Sequence, residues 1–231
     1  MLNFVLEFEK VISKWPDNTP WTIAQLADYT NSSISVAVDA VSTSLNREFD
    51  IQETISLAEG KQILTTLRDR MSRQLEHRQR KIQADRDAAM RAYDLTMDSI
   101  RVSQQAKDFR TAYKTLSYFV GRYEKNIDVH LLVSLCGDCI RLGQKASANV
   151  QELGSWMRKA IETAAVSTHS DTIEDALDFL DTYGDLFKAD SNGVGGKILN
   201  NALNVLQIPA MDCNLITEWN QLNNQLRPTQ F

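Results

Sequence analysis

Hydrophobic and polar positions follow a helical pattern without a break from Lys61 to Val120, because this stretch contains no Gly or Pro. It is rich in Arg, Gln, Glu, Ala, Leu and Met, which are strong helix formers. Most of it is therefore predicted to form one long helix, and about 40 residues at 1.5 Å each would extend roughly 60 Å. A helix of that length either stands out from the protein body or connects two parts of it.

The middle of the predicted helix has too few apolar residues to be buried. Between Glu76 and Asp87 only Ile82 and Ala84 are apolar, whereas a helix on a globular core has about three apolar positions per two turns. This part is expected to be exposed and supported by pairs of opposite charge, each worth about 0.2–0.5 kcal/mol. The expected pairs are Asp69 with Arg73, Glu76 with Arg80, Lys81 with Asp85, and Asp87 with Arg91.

A narrow apolar repeat with the seven-residue spacing of a coiled coil runs through Leu75, Ile82 and Ala89. Arg78 and Asp85 interrupt the pattern. Apolar residues at helical spacing are expected to anchor the two ends of the helix. They are Leu64, Leu67 and Met71 at one end, and Met90, Tyr93, Met97 and Ile100 at the other.

The residues before the long helix predict a small helical module. Its first helix, over residues 2–15, is amphipathic and ends at Pro16. The apolar face of this helix comprises Phe4, Phe8, Val11 and Trp15.

Residues 21–45 resemble a helix-turn-helix. The resemblance rests on the apolar pair Leu26 and Ala27, the polar turn Asn31-Ser32-Ser33, and a second helix with Val38, Val41 and Leu45 inward. A helix that reads the major groove carries Arg, Lys, Asn or Gln toward base edges. The second helix offers hydroxyl groups and Asp39, with no basic residue before Arg47. We therefore expect this shape to serve protein contact rather than DNA reading, and residues 49–57 to add a short strand or wing.

After the long helix, four segments of about twenty residues are apolar at helical spacing. They begin near Lys107, Asp128, Asn149 and Asp171, and Ser170 is expected to cap the last one. The step of roughly 21 residues is similar to that of stacked helix pairs in solenoid proteins. Their shared core is expected to contain Phe109, Tyr113, Leu116, Val120, Leu131, Leu132, Leu135, Cys139, Trp156, Ala160, Ala164, Leu177, Leu180 and Phe187.

The C-terminal part is expected to begin with a flexible connection at residues 190–196, which are rich in Gly. Two short helices follow in the prediction, Lys197–Leu206 and Asp212–Leu226, separated by Pro209 because proline cannot continue a helix. Trp219 is expected to dock the second of them onto the body.

Composition supports an all-α fold. All four prolines lie near the ends of the 231-residue chain, which argues against a turn-rich or all-β protein. The predicted organisation is a helix-turn-helix-like module at 1–59, a long charged connecting helix at 60–105, and an antiparallel helical bundle or solenoid-like stack at 106–231. No apolar run reaches eighteen residues, so no membrane insertion is expected. Three cysteines, an odd number, indicate a reducing compartment, the cytoplasm.

Charge is distributed unevenly along a chain of net charge −5. Residues 68–91 contain eight Lys or Arg against four Asp or Glu, whereas residues 171–190 contain seven acids and one Lys. These two segments either face each other, within the fold or between copies, or dock different partners; the simpler alternative is that both are solvated helix faces. The candidate partner-binding residues are Arg73, Arg78, Arg80, Lys81, Ile82, Asp171, Glu174, Asp175 and Asp178.

No pattern in the sequence predicts a catalytic, cofactor or metal site. Cys136 and Cys139 have C-x-x-C spacing, but they lie in a predicted buried helix and lack the second ligand pair of a zinc site. The histidines His77, His130 and His169 are far apart. No cofactor and no enzymatic activity are therefore expected.

Two functions are compatible with these patterns. The first is a non-enzymatic helical adaptor or accessory subunit of a multiprotein assembly, of the kind found in bacterial secretion or phage machines, which binds either other proteins or other copies of itself. The alternative is a helix-turn-helix-type nucleic-acid-binding regulator whose long helix dimerises or supplies arginines. We favour the first function, because the long helix is too polar to be buried, the charges are segregated along the chain and no catalytic cluster is found in the sequence. The lack of basic residues on the second helix of the pair argues against the alternative.

Overall fold

The computed structural model describes residues 2–16, 19–167, 169–189 and 193–227, and within them it is all-α with one two-stranded sheet. The predicted fold class is confirmed. No helix of this part of the chain is both long and apolar enough to cross a bilayer. The elements are α1 Leu2–Ser13, β1 Trp21–Thr22, α2 Ile23–Tyr29, α3 Ile34–Leu45, β2 Thr54–Ile55, α4 Leu57–Gln105, α5 Phe109–Tyr123, α6 Val129–Lys145, α7 Val150–Ala165, α8 Ser170–Lys188, α9 Val194–Asp212 and α10 Ile216–Leu226.

Contacts group the chain into two compact units, residues 1–82 and residues 83–231. We call them unit one and unit two. Helix α4 contributes residues to both. The division into three segments, with 60–105 as a separate connecting helix, remains a prediction.

The core of unit one forms where α1 packs against α2, α3 and the start of α4. The predicted apolar face of α1 is confirmed, because Phe4, Phe8, Val11 and Trp15 are all buried. Rings of Trp15, Trp21 and Tyr29 stack in series with 4.5 Å between successive centroids. Helices α1 and α4 approach so closely that a Cβ atom on Gly60 would lie 2.7 Å from the Ile12 side chain.

The helix-turn-helix shape is present in unit one. Thr22 begins α2 with a capping box. The Thr22 hydroxyl accepts a hydrogen bond from the Gln25 N–H, and the Gln25 side chain accepts one from the Thr22 N–H. Asn31 turns the chain with a positive φ of 47°, and Ser33 caps α3. The short strand expected within residues 49–57 is β2. It follows α3 in the sequence and pairs antiparallel with β1, which precedes α2.

Helix α4 begins at Leu57, three residues before the predicted start at 60, and ends at Gln105, the predicted end. A capping box sets its start, since the Glu59 carboxylate accepts from the Ser56 N–H at 2.8 Å and the Ser56 hydroxyl accepts from the Glu59 N–H. These bonds to Ser56 lower the pKa of Glu59. The helix stops at Gln105, Lys107 adopts a φ of 59°, and Asp108 caps the next helix. It therefore does not continue toward Val120.

Unit two contains α5 to α10, packed around one hydrophobic core. The predicted starts of the four segments agree with α5 to α8 within two residues, and the core contains or touches all fourteen residues predicted for it. Each of α6, α7 and α8 packs against the next helix and against the next but one, which is the contact pattern of a solenoid-like stack. Trp219 of α10 is buried and donates its ring N–H to the Leu203 carbonyl at 2.9 Å, as its docking role requires.

Several predicted boundaries at the C-terminal end of unit two are wrong. Helix α9 begins at Val194, inside the expected flexible connection, and α10 begins at Ile216 rather than at Asp212. Helix α9 runs through Pro209 to Asp212. Proline removes one backbone hydrogen bond, but Leu206 and Ala210 on either side of it are completely buried, so packing holds this last turn. Ser170 does not cap α8, because it is the first helical residue and its hydroxyl donates to Asp171. Residues 190–192 of the expected flexible connection lie outside the described residues.

The cysteines provide a test of the core of unit two. Burial raises the pKa of the Cys136 thiol to about 12 and also raises that of Cys139, whereas Cys213 is only partly buried. Because the thiolate is the reactive form, we expect a thiol reagent at neutral pH to modify Cys213 quickly and the other two only after unfolding. Titration with Ellman's reagent, with and without denaturant, measures this. Fast modification of all three thiols in the native protein would contradict the assignment of the core.

Candidate functional site

The most exposed part of unit one is the segment of α4 from Ser72 to Ile82, in which every residue is exposed. An apolar line enters this segment from the core at steps of seven, four and seven residues: Leu64, Met71, Leu75 and Ile82. We call these four residues the apolar seam. Leu64 is buried and Met71 is half-buried, but Leu75 and Ile82 are 55% and 54% exposed. The seam thus continues past the edge of the core that covers it.

A second set of residues lies on another side of the same helix. Six basic residues, counting His77, and one acid occur between positions 70 and 81. Five of the six form a set that we call the basic stripe: Arg70, Arg73, His77, Arg80 and Lys81. Its members recur at steps of one, three or four residues, so they share one side of the helix. Arg73 and Leu75 are two residues apart, a rotation of about 200°, which places the stripe opposite the apolar seam.

Most charges of the basic stripe lack an acidic partner. Arg80 pairs with Glu76 at 3.3 Å, as predicted, with both side chains largely exposed. Within the described residues, Arg70, Arg73 and Lys81 form no ion pair, and the predicted pair of Asp69 with Arg73 is absent. Arg78, between the stripe and the seam, is likewise unpaired in this part of the chain. The positive charge of this segment is therefore available to a partner.

An open groove of about 790 Å³ lies between α3 and α4 at the start of the basic stripe. Its lining residues are Thr43, Thr66, Asp69, Arg70, Arg73, Gln74, His77 and Arg78. Sequence reasoning identified Arg73 and Arg78 but not the groove, because only the packing of α3 beside α4 brings Thr43 to them. Arg47, which follows α3, is already engaged: it pairs with Glu53 at 3.0 Å and lies over the Phe49 ring.

The predicted acidic residues lie on α8 in unit two. Asp171, Glu174 and Asp178 are exposed, whereas Asp175 is partly covered and accepts a hydrogen bond from another helix. In the same unit, Met90 is not the anchor that the sequence suggests, because it is 45% exposed. Anchoring residues further along α4 are the buried Ile100 and the partly buried Ala92, Tyr93 and Met97.

Asp175 belongs to a polar contact between α6 and α8. His130 Nδ1 lies 2.5 Å from the Asp175 carboxylate, and His130 Nε2 lies 3.4 Å from the hydroxyl of the buried Thr172. The hydrogen bond to Asp175 raises the pKa of His130, and the nearby charges of Asp128 and Asp171 act in the same direction. No sequence signal indicated this contact, since the histidine and the carboxylate are 45 positions apart.

Among the residues that the structure describes, no three His, Cys, Asp or Glu side chains are arranged to hold a metal ion. Comparison of the chain with protein-family models, with curated proteins and with solved structures finds no match. What the protein binds is therefore inferred from its own exposed residues.

The apolar seam predicts a contrast between two substitutions on one helix. Leu67 is 2% exposed and Ile82 is 54% exposed. We expect Leu67→Ala to lower the free energy of unfolding by about 2–5 kcal/mol and Ile82→Ala to change it by about 0.5 kcal/mol or less. Urea unfolding followed by circular dichroism measures both. A large loss in the Ile82 variant of the monomer would show that Ile82 is buried.

The His130–Asp175 contact predicts a pH dependence. A group whose pKa is raised in the folded protein contributes stability below its unfolded pKa and loses it as the pH rises through the folded pKa. The contribution of His130 should therefore be complete below about pH 6.5 and should disappear above its raised pKa. We expect melting temperatures of wild type and His130→Gln to differ at about pH 5.5 and to converge at about pH 8.5. Asp175→Asn should show the same pattern, and a difference that grows with pH would refute the contact.

Proposed function

We propose that this protein is a non-enzymatic helical adaptor or accessory subunit of a larger assembly, and that it binds a partner protein through the apolar seam of α4. The observation that carries the proposal is the exposure of Leu75 and Ile82 on the same line as the buried Leu64. The proposed setting is a multiprotein assembly, such as a bacterial secretion or phage machine.

A helix is the structure that best fits the seam. Leu75 and Ile82 are seven residues apart and follow Met71 at four, which is the spacing at which one helix packs into another in a coiled coil. Gln79 lies between Leu75 and Ile82 on the same side and offers a polar contact at the edge. The partner helix belongs either to another protein or to a second copy of this chain.

The alternative from the sequence, a regulator that reads DNA with α3, has less support. Asp39 lies exposed on α3 and would repel phosphate. Arg47, the nearest basic residue, is held by Glu53 and Phe49. Base reading by α3 therefore remains a prediction, and we find no side chain on α3 that is suited to it.

Site-specific photo-crosslinking in the native host tests the adaptor proposal. A benzophenone side chain placed at position 75 or 82 should form a protein adduct of the same mass at both positions. His77, two residues from Leu75 and on the opposite side of α4, is the matched control position, and the same adduct should be absent there. Ile82→Asp should abolish the adduct formed from position 75.

Light scattering of the purified protein then identifies the partner class. A dimer that Ile82→Asp converts to a monomer means that the partner helix comes from a second copy. A monomer that still gives the adduct in cells means a different protein. A monomer without any adduct at positions 75 and 82 would refute the proposal.

A further inference from the structure

We propose that the basic stripe of α4, together with the groove between α3 and α4, binds the phosphate backbone of duplex DNA. This inference goes beyond the adaptor function and is independent of it, because the stripe and the apolar seam lie on opposite sides of the helix.

Most cations of the basic stripe have no carboxylate partner among the described residues. Within the described part of unit one, Arg70, Arg73 and Lys81 have no carboxylate partner, and Arg80 has only an exposed one. Exposed ion pairs with a protein contribute about 0–1 kcal/mol each. Contacts with a nucleic acid also release the counterions condensed on its phosphates, which makes a row of basic residues far more effective there. The stripe is therefore better suited to a nucleic acid than to an acidic protein.

The spacing of the basic residues along α4 fits the phosphates of a duplex. Arg70, Arg73, His77 and Arg80 span ten residues, a rise of about 15 Å along the helix. Since a duplex carries about one charge per 1.7 Å of its axis, several phosphates lie within that distance. Residues 72–82 are exposed all around the helix, so this segment can enter or follow a groove about 12 Å wide.

The absence of stacking groups favours a duplex over a single strand. Proteins that bind single strands place aromatic side chains against the bases. Between Arg70 and Ile82 the sequence contains no Phe, Tyr or Trp. The groove instead offers the hydroxyl of Thr43 beside its arginines, which is a donor suited to phosphate oxygens. The hydroxyl of Thr66 already donates to the Gln62 carbonyl at 3.0 Å.

The same geometry predicts binding without sequence preference. The side chains that line the groove come mainly from α4, where Arg70, Arg73 and Arg78 outnumber the one carboxylate, Asp69, and α3 contributes Thr43 near its C-terminal end. The basic residue that follows α3, Arg47, is occupied by Glu53. Contacts to phosphates position a protein but carry no sequence information, so unrelated duplexes should bind equally well.

Fluorescence anisotropy with the full-length protein and a labelled duplex of about 20 base pairs tests the proposal at about 50–200 mM salt. If the four cations Arg70, Arg73, Arg80 and Lys81 contact phosphates, log K should fall with log salt at a slope of about −3.6. Affinity should then drop about 150-fold over this range. The triple variant Arg70→Gln, Arg73→Gln, Arg80→Gln should bind with a slope of about −0.9.

A charge-matched control separates the stripe from net charge. Arg101, Arg110 and Arg158 are exposed residues of unit two, and their replacement by Gln changes the net charge by the same three units. This control should keep the wild-type slope, as should the uncharged Ile82→Gln, which removes apolar surface from the seam without adding a carboxylate beside Lys81. Circular dichroism verifies that all variants remain helical.

Each outcome of the measurement decides the proposal. A steep slope that only the stripe variant loses supports it, whatever the crosslinking at Ile82 shows. No duplex binding at low salt overturns it, and so does equal weakening by both triple variants. Binding to single-stranded DNA or to polyglutamate, but not to duplex, also overturns it, because the partner class would then be different.

Discussion

The structure of this protein depends on the middle of α4 remaining helical without an apolar surface to pack against. From Ser72 to Ala88 every residue is exposed, so burial contributes almost nothing to this segment. Starting a helix is the costly step, whereas extending one adds a hydrogen bond for each residue that is fixed. In unit one, the capping box of Ser56 and Glu59 and the buried Leu64 and Leu67 provide that start. The exposed segment is then an extension of a helix that is already formed.

The charges of this segment do not serve folding well. Arg70 and Arg73 are three residues apart, as are Arg78 and Lys81, and like charges at that spacing destabilise a helix by about 0.2–0.5 kcal/mol per pair. Only Glu76 with Arg80 offsets them by an ion pair among the described residues 70–81. Local departures from the choices that stabilise a fold tend to occur at functional sites, which is the physical ground for treating this segment as a binding surface.

The elements that depend on a local sequence pattern could be predicted. The face of α1, the helix pair with its Asn31 turn and the starts of α5 to α8 follow from apolar spacing and turn residues, all within short stretches. The exposure of Ile82 also followed from the lack of apolar neighbours. The Ser-x-x-Glu signal at Ser56, which begins α4, was equally local and was missed.

Features set by tertiary packing could not be predicted in this way. Pro209 stays inside α9 because Leu206 and Ala210 are buried, and their burial depends on the other helices of unit two. The His130–Asp175 contact and the position of Thr43 in the groove join residues that are distant in sequence. Of the candidate site, the charged residues could thus be named in advance, whereas the groove that gathers them required the packing of α3 against α4.

Energetics limit what the apolar seam can do alone. Fully burying a Leu or Ile side chain contributes about 1.5–3 kcal/mol, and Leu75 and Ile82 are already about half covered, so completing their burial adds roughly 2–3 kcal/mol in total. Association costs about 4–15 kcal/mol in lost freedom. A partner helix must therefore bury more than these two residues or be held nearby by a second contact. A second contact, such as the one proposed between the basic stripe and a duplex, would hold two chains near each other and so reduce the association cost that the seam has to offset.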